Sequence, residues 1–420
     1  MQLFRSTFDR STFVQWARAV GAVRRLRDIH PQDFCLALVG CAIGDEERSI
    51  ATARRLFFRL TGFMPEESSF YDRFNSGMLA LMQRLFQRAL DACPSQQLQA
   101  LAKALGGSGV IDVLAVDASQ VLLPASARDV LPSTDDGHGG FKLTATLSVL
   151  YQNVQRIAVT DARTHDRKAL RLARWLKGQL FLFDRGYCDY RLFDTIARRG
   201  GFFVTRIKKT STPIITAIRS GLGRAHVGGR LTRELPYRGM VDLDAEFRFK
   251  GGRRVLRVVR ITVDHRQANG LPESIDIWLV TNLDEQSFSA AHVATLYRMR
   301  WEVETLFRAL KTVGRLDQLR SASVPVIRIF IYATLIGLLL AQNICALMRR
   351  ERPETEPSLQ RVMALVLGSL RELMAAAHKR RPDAALFATF VAALWREGVN
   401  PNPGRGYTVN RYAIGMQEPA

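Results

Sequence analysis

The amino-acid sequence predicts an α/β fold in which a sheet-forming core lies between two helical regions. Three observations support this prediction. Residues 1–105 have helical patterning, β-branched runs alternate with helical stretches from residue 110 onwards, and residues 359–395 are helical again. A glycine-rich stretch at 106–109 separates the first helical region from the strands, as expected because clustered glycines interrupt regular elements.

The first predicted domain, residues 1–105, is helical and we expect it to bind DNA. It contains an apolar stretch at 31–44, a helix that ends at Gly62 and a further helix that begins near Pro65. Two short helices around a Gly/Pro turn, the second bearing Arg73, are compatible with a helix-turn-helix module. A plain helical bundle with a basic exterior fits the same residues at least as well.

The second predicted domain, residues 110–347, begins with a set of strands. Strands are predicted at 110–116, 141–151, 154–160, 179–183 and 202–206, and helices at 166–177 and 190–199. The order is β-β-β-α-β-α-β, with Asp117 at the end of the first strand and Asp184 at the end of the fourth. This order matches a ribonuclease-H-like core.

A β-rich insertion is predicted at residues 208–282, because strand-like runs are joined there by hairpin turns such as 250–253 and 267–270. The strands are predicted at 231–236, 241–250, 253–263 and 275–281. After the core, a polar linker leads into a helical C-terminal region and tail at 351–420.

The net charge limits the possible partners. Sixty Lys and Arg residues against thirty-nine Asp and Glu residues give a charge of +21, which favours a polyanion such as nucleic acid or an anionic membrane. The five cysteines are scattered without a CxxC pair, as expected for a reduced cytoplasmic protein without structural zinc. The first residues lack the apolar segment of a secretion signal.

Residues 329–347 form an apolar segment long enough to cross a bilayer. The segment contains Gln342 and Asn343, stands alone and follows a cationic helix. We therefore interpret it as a buried core helix rather than a membrane span, since a helix that is apolar on all sides is also required at the centre of a large domain.

Residues 296–311 are predicted to form one amphipathic helix. Its polar face combines a phenol, a guanidinium, a carboxylate and an ammonium group, which all lie within roughly 60° of arc: Tyr297, Arg300, Glu304 and Lys311. On spacing alone, the simplest interpretation is a solvated face in which Arg300 pairs with Glu304 four residues later.

The predicted sheet gives this helix a possible chemical role. The first and fourth strands should be parallel neighbours, so Asp117 and Asp184 would emerge at adjacent carboxyl ends. Two close carboxylates need a cation, or one must stay protonated. With Glu304 as third ligand, the oxygen donors suit Mg²⁺ or Mn²⁺, and two such ions can support an in-line phosphoryl displacement. Aspartates at strand ends are also common in turns, which is the alternative for each taken alone.

Three blocks of the sequence resemble those of IS4-type DDE transposases, bacterial insertion-sequence enzymes with a Tyr-Arg-Glu-Lys signature. The blocks are VLAVDAS with Asp117, LFLFDRGY with Asp184, and LYRMRWEVETLFRALK with the four signature residues. Asn282 in LVTNLDE also fits, and the resemblance extends from about residue 110 to 347.

The resemblance implies a ribonuclease-H-like catalytic core with Asp117, Asp184 and Glu304 as metal ligands. It implies metal-activated hydrolysis at the ends of a DNA element, followed by attack of the freed 3′-hydroxyl on target DNA. It also implies a homodimer that bridges both element ends, a DNA-associated cytoplasmic location and no membrane partner.

By the same resemblance, Tyr297, Arg300 and Lys311 bind phosphates and terminal bases near the cut, and Trp301 or Tyr297 can stack a flipped base. Two alternatives remain open at this point. One is a catalytically inactive or domesticated DNA-binding relative, and the other is a metal-dependent nuclease that only cuts. The intact carboxylates and signature count against the inactive relative, whereas the nuclease shares every motif and only product analysis separates it.

Overall fold

The computed structural model describes residues 10–44, 47–92, 97–135, 137–164, 176–208, 210–221, 226–231, 240–266, 272–315, 318–319, 321–378, 384–401 and 416. Six helices precede the first strand in this part of the chain: α1 (Arg10–Ala19), α2 (Pro31–Ile43), α3 (Ile50–Thr61), α4 (Glu67–Tyr71), α5 (Ser76–Asp91) and α6 (Gln99–Ala104). Gly62 ends α3 in the left-handed conformation (φ 77°), which favours glycine.

Nine described strands form a single mixed sheet in the order β3-β2-β1-β4-β5-β9-β8-β7-β6. The strands are β1 (Asp112–Leu123), β2 (Gly139–Ser148), β3 (Asn153–Asp161), β4 (Gln179–Phe183), β5 (Phe202–Arg206), β6 (Ile214–Ser220), β7 (Val241–Phe249), β8 (Gly252–Arg266) and β9 (Pro272–Thr281). The prediction that the first and fourth strands are parallel neighbours is confirmed, because β1 pairs with β4 in parallel.

The predicted β-rich insertion extends the core sheet instead of forming a sheet of its own. β9 pairs antiparallel with β5, with Val204 opposite Thr281, and β8, β7 and β6 follow outwards. The predicted hairpin turn at 250–253 is confirmed, since Phe249 pairs with Gly252. The predicted strand at 231–236 and turn at 267–270, like most of the helix at 166–177, lie outside the described residues.

The predicted end of the first strand is wrong. β1 continues past Asp117 to Leu123, because β2 accompanies it as far as the Leu123–Gly139 pair. Only the pairing with β4 stops near Asp117, after Val116 and Phe183. Asp117 is therefore an internal residue of a long strand, placed where its parallel neighbour ends.

Six helices of the described chain follow β4: α7 (Tyr190–Arg198), α8 (Ala290–Arg298), α9 (Trp301–Gly314), α10 (Val324–Glu351), α11 (Leu359–His378) and α12 (Ala384–Glu397). α10 contains the apolar segment predicted at 329–347. It is the one described helix that is long and apolar enough to cross a membrane, and 78% of its most apolar stretch is buried inside the protein, as predicted for a core helix.

α10 shares a hydrophobic core with the N-terminal helices. The ring of Phe330 stacks on Phe74 with centroids 6.2 Å apart, and Tyr332 meets Phe86 edge-on at 5.6 Å. The predicted domain boundary near residue 105 therefore does not separate two hydrophobic cores. Phe70, the fourth residue of the five-residue α4, is also part of this core.

α10 approaches α2 closely at Gly337. A Cβ atom at this position would lie 2.5 Å from Ile43 Cγ2, and Ile43 is fully buried with a branched side chain that has little room to move. Glycine at 337 therefore permits the two helices to pack at this distance.

We expect Gly337→Ala to lower the free energy of unfolding by about 1–3 kcal/mol, because the added methyl overpacks the interface. Gly368→Ala in α11 is the matched control. Apart from the backbone of its own helix and its chain neighbours, no atom of the described residues lies within 4 Å of a Cβ built there, so this variant should be neutral or stabilising by up to about 1 kcal/mol. Urea unfolding of both variants measures the difference, and equal effects would contradict the proposed packing.

Candidate active site

The parallel pairing of β1 with β4 brings Asp117 and Asp184 together. The register runs from Asp112 opposite Gln179 to Val116 opposite Phe183. The residues that follow these two paired segments are Asp117 and Asp184. Both carboxylates are half-buried. The predicted proximity of the two aspartates thus follows from strand register.

Two features position Asp184: stacked aromatic rings of the residues around it in the chain, and a hydrogen bond from the neighbouring strand β5. The ring of Phe183 stacks on Phe181 at 5.5 Å and on Tyr187 at 5.3 Å. The hydroxyl of the buried Thr205 donates to the Asp184 carbonyl oxygen at 3.3 Å. Asp184 then begins the single helical turn Arg185–Tyr187, so its side chain projects where the strand gives way to the turn.

The predicted single helix over residues 296–311 is two helices, α8 and α9, which meet at Met299 and Arg300. The Arg300 N–H donates to the Tyr297 carbonyl at 3.2 Å, and the Val303 N–H donates to the Arg300 carbonyl at 3.2 Å. Both hydrogen bonds span three residues, as in a 3₁₀-helix, so the backbone is wound more tightly here than in an α-helix. No proline or glycine marks the break, so the hydrophobic periodicity continues through it.

Arg300 lies between two of the three predicted ligands. Its Nη1 is 3.3 Å from Asp117 Oδ2 and its Nη2 is 2.6 Å from Glu304 Oε1. The residue is only 6% exposed. The Arg300–Glu304 pair, which the spacing alone allowed as the simpler interpretation, is thus present, and the same guanidinium also reaches the sheet.

Tyr297 completes the contact between the helices and the sheet. Its hydroxyl lies 3.5 Å from Asp184 Oδ1, at the outer limit of a hydrogen bond, and its ring lies 5.7 Å from the Arg300 guanidinium carbon. Burial raises the pKa of Tyr297 above its usual range, so the phenol stays protonated and able to donate. Each of the three carboxylates is therefore contacted by Tyr297 or Arg300.

The pKa of Asp117 is raised to about 6. Burial is the largest cause, and the like charges of Asp184 and Glu304 add to it, while Arg300 and the Ala118 N–H partly offset the rise. The Ala118 N–H donates to Asp117 Oδ1 at 2.8 Å. An additional cation would favour the ionised form of this carboxylate.

The chemistry of the donors fits a divalent metal, but their present positions do not yet form a metal site. Asp117, Asp184 and Glu304 offer only carboxylate oxygens, which suit Mg²⁺ or Mn²⁺. Among the described residues, no group of three His, Cys, Asp or Glu side chains is close enough to hold one ion. Arg300 lies between Asp117 and Glu304 instead.

The other predicted site residues differ in exposure. Lys311 is exposed on α9, and Trp301 is 51% exposed at the start of this helix. Tyr297 and Arg300 are buried, so in this arrangement they face the carboxylates rather than solvent. The structure therefore brings five predicted residues together and places Lys311 further along the same helix.

The sequence interpretation gave no structural role to two residues that support the site. The side-chain amide of Asn282, just after β9, accepts from the Phe203 N–H at 2.9 Å and donates to the Gly201 carbonyl at 2.9 Å. It thereby joins the end of β9 to the start of β5. Its position directly after a buried strand is the signal that could have identified this role.

Arg257 in β8 is the second supporting residue, and it fixes the segment that leads into α8. It is 4% exposed and donates to both carboxylate oxygens of Asp242, at 2.9 and 2.6 Å. Its Nη1 also donates to the carbonyls of Asp284 at 3.1 Å and Phe288 at 2.7 Å. One buried guanidinium thus ties the outer sheet to the entry of the helices that carry the site.

We expect Arg257→Met to cost about 3 kcal/mol of unfolding free energy, because Asp242 would keep a buried charge with only the 3.4 Å contact to Arg219. The double variant Arg257→Met, Asp242→Leu should recover part of that loss. Arg248→Gln, whose side chain is 71% exposed, should change stability by no more than about 0.5 kcal/mol. A small effect of Arg257→Met in denaturant unfolding would show that this anchor is unimportant.

The mixed α/β fold, in which two aspartates follow paired parallel strands and a glutamate lies on a later helix, is consistent with a ribonuclease-H-like domain. Residues 108–340 match the protein family described as "Transposase DDE domain". The match covers more than half of the chain, and the protein belongs to this family of DDE transposases.

Individual relatives agree with this assignment. The chain is 29% identical over 198 residues to "Putative transposase y4zB" of Sinorhizobium fredii, a match that covers 46% of this chain and 51% of the relative. It is 36% identical over 78 residues to "Putative transposase InsL for insertion sequence element IS186A" of Escherichia coli, covering 19% of this chain and 21% of the relative. The matched segments therefore span about half or less of these relatives.

Proposed function

We propose that the protein is a DNA transposase that binds the ends of an insertion sequence and catalyses metal-dependent cleavage and strand transfer. The observation that carries the proposal is the convergence of Asp117, Asp184 and Glu304 within the matched transposase domain. Their identity as the catalytic carboxylates, and membership of the IS4-type group, are part of this proposal.

The three carboxylates are proposed to hold Mg²⁺ or Mn²⁺, in a pair of ions. Such ions, when bound, activate a water or hydroxyl nucleophile and stabilise the leaving oxygen of a phosphodiester. In support of this, strand register brings Asp117 and Asp184 side by side, and Arg300 at the junction of α8 and α9 contacts both Asp117 and Glu304. Tyr297 keeps its proton and can orient Asp184 through the 3.5 Å contact.

DNA is proposed to approach along the exposed side of α9. Lys311 lies seven residues beyond Glu304, which corresponds to about 10 Å along the helix axis, and can contact a phosphate while the scissile bond lies near the carboxylates. Trp301 has enough exposed ring surface to stack on a base. The net charge of +21 supports association with a polyanion.

The remaining parts of the proposal concern assembly. The helices of residues 1–105 are proposed to bind DNA, and two copies are proposed to bridge the two element ends in a DNA-associated, cytoplasmic complex. The exposed Arg55 and Arg59 on α3 support a basic surface in this region.

We expect Asp184→Asn and Glu304→Gln to reduce cleavage of DNA carrying the terminal inverted repeats of the protein's own element by at least about a hundredfold in Mg²⁺. Each substitution removes a ligand charge with little change of shape. Asp129→Asn alters an exposed aspartate and is the matched control, so it should cut at the wild-type rate. Wild-type rates for the two site variants would refute the carboxylate assignment, and nicking without joined products would indicate a nuclease only.

Lys311→Ala should weaken binding to element ends and reduce the slope of log affinity against log salt by about one, because one phosphate contact is lost. Fluorescence anisotropy at several salt concentrations measures this slope. Lys177→Ala removes an equivalent exposed charge just before β4, at the end of that strand opposite Asp184, and should leave the slope unchanged. A slope for Lys311→Ala equal to that of the wild type would assign Lys311 to the ordinary solvated surface.

A further inference from the structure

Arg300 occupies the space between two carboxylates that the proposed function assigns to a metal ion. Its Nη1 is 3.3 Å from Asp117 and its Nη2 is 2.6 Å from Glu304. The guanidinium is buried, so these are charge-assisted contacts with little screening by water. A positive charge therefore already neutralises part of the acidic cluster.

We propose that Arg300 is the resident cation of the metal-free site, and that a divalent ion must displace its guanidinium from Asp117 and Glu304 before the site is complete. This inference rests on the proposed function, because it takes these carboxylates as metal ligands. Arg300 is accordingly a positioning residue in the metal-free protein.

The hydrogen bonding of Arg300 is incomplete in its present position. Its Nε is buried and has no hydrogen-bond partner among the described residues. A buried donor without an acceptor is costly. The ion pairs with Asp117 and Glu304 offset this cost. Their favourable contribution would fall once another cation neutralised the same carboxylates.

Displacement would also change what Arg300 can bind. A guanidinium binds carboxylate and phosphate with the same donor fork, so Arg300 cannot bridge Asp117 and Glu304 and hold a phosphate with the same N–H groups. Arg300 is the N-cap residue of α9 and directly precedes the exposed Trp301. A released Arg300 side chain would therefore lie near the exposed surface at the start of α9. Metal loading and the contact of Arg300 with DNA phosphate are therefore coupled through one side chain.

The direct test is Mn²⁺ binding in the absence of DNA, measured from free Mn²⁺ by electron paramagnetic resonance. We expect Arg300→Gln to bind Mn²⁺ about tenfold or more tightly than the wild type, because the competing cation is gone. Its melting temperature should be lower without Mn²⁺ and should rise more when Mn²⁺ is added. Affinity equal to or weaker than that of the wild type would overturn the proposal.

Arg308→Gln is the matched control, since Arg308 is exposed one turn beyond Glu304 on the same helix. It removes the same charge without opening the bridge, and its Mn²⁺ affinity should stay within about threefold of the wild type. An equal gain in both variants would overturn the proposal, because it would show a general effect of net charge.

Arg300→Lys keeps the charge and protects the test against loss of folding, which circular dichroism monitors. A single ammonium lacks the planar fork that reaches both carboxylates, so we expect this variant also to bind Mn²⁺ more tightly than the wild type does. Equal or weaker binding would count against the proposal.

Glu304→Gln separates the role of Arg300 from the proposed metal site itself. If it weakens Mn²⁺ binding while neither Arg300 variant strengthens it, only the role of Arg300 fails. If no variant and no wild-type protein binds Mn²⁺, the proposed metal site fails as well.

Discussion

The parallel pairing of β1 with β4 is the constraint on which the rest of the site depends. It places Asp117 and Asp184 next to each other in register, and so creates a pair of like charges at the point where β4 ends. Burial and this repulsion raise the pKa of Asp117 to about 6. A positive charge beside Asp117 favours its ionised form, and Arg300 at the junction of α8 and α9 supplies one.

The outer strands matter because they hold that junction in place. β9 returns the chain to β5, where Asn282 fastens it, and Arg257 binds the carbonyls of the segment before α8. α9 packs against α10. α10 in turn packs on the N-terminal helices through contacts such as that of Phe330 with Phe74. Residues far apart in the sequence thus combine to fix the direction in which Glu304 points.

Much of this architecture follows from sequence patterns. Short runs rich in Phe, Leu and Val predicted the observed limits of β4 and β5, and the predicted strand order placed the two aspartates together. The predicted end of β1 was wrong because the alternation of apolar and polar residues is weak beyond Asp117. The continued pairing with β2 depends on residues distant in the sequence. The break at Met299 and Arg300 leaves no local mark, since neither a proline nor a glycine is present. Spacing also could not decide whether Arg300 contacts Glu304, solvent or Asp117, because that choice depends on how α9 packs against the sheet.

The central claim is that Asp117, Asp184 and Glu304 form a divalent-metal site in a DNA-cutting enzyme. Anomalous diffraction from crystals grown with Mn²⁺ tests it most directly. We expect an anomalous peak bounded by the carboxylates of Asp117 and Asp184, with Glu304 turned towards it and Arg300 displaced. Saturating Mn²⁺ with no peak at these carboxylates, and with Arg300 still contacting Asp117 and Glu304, would contradict it.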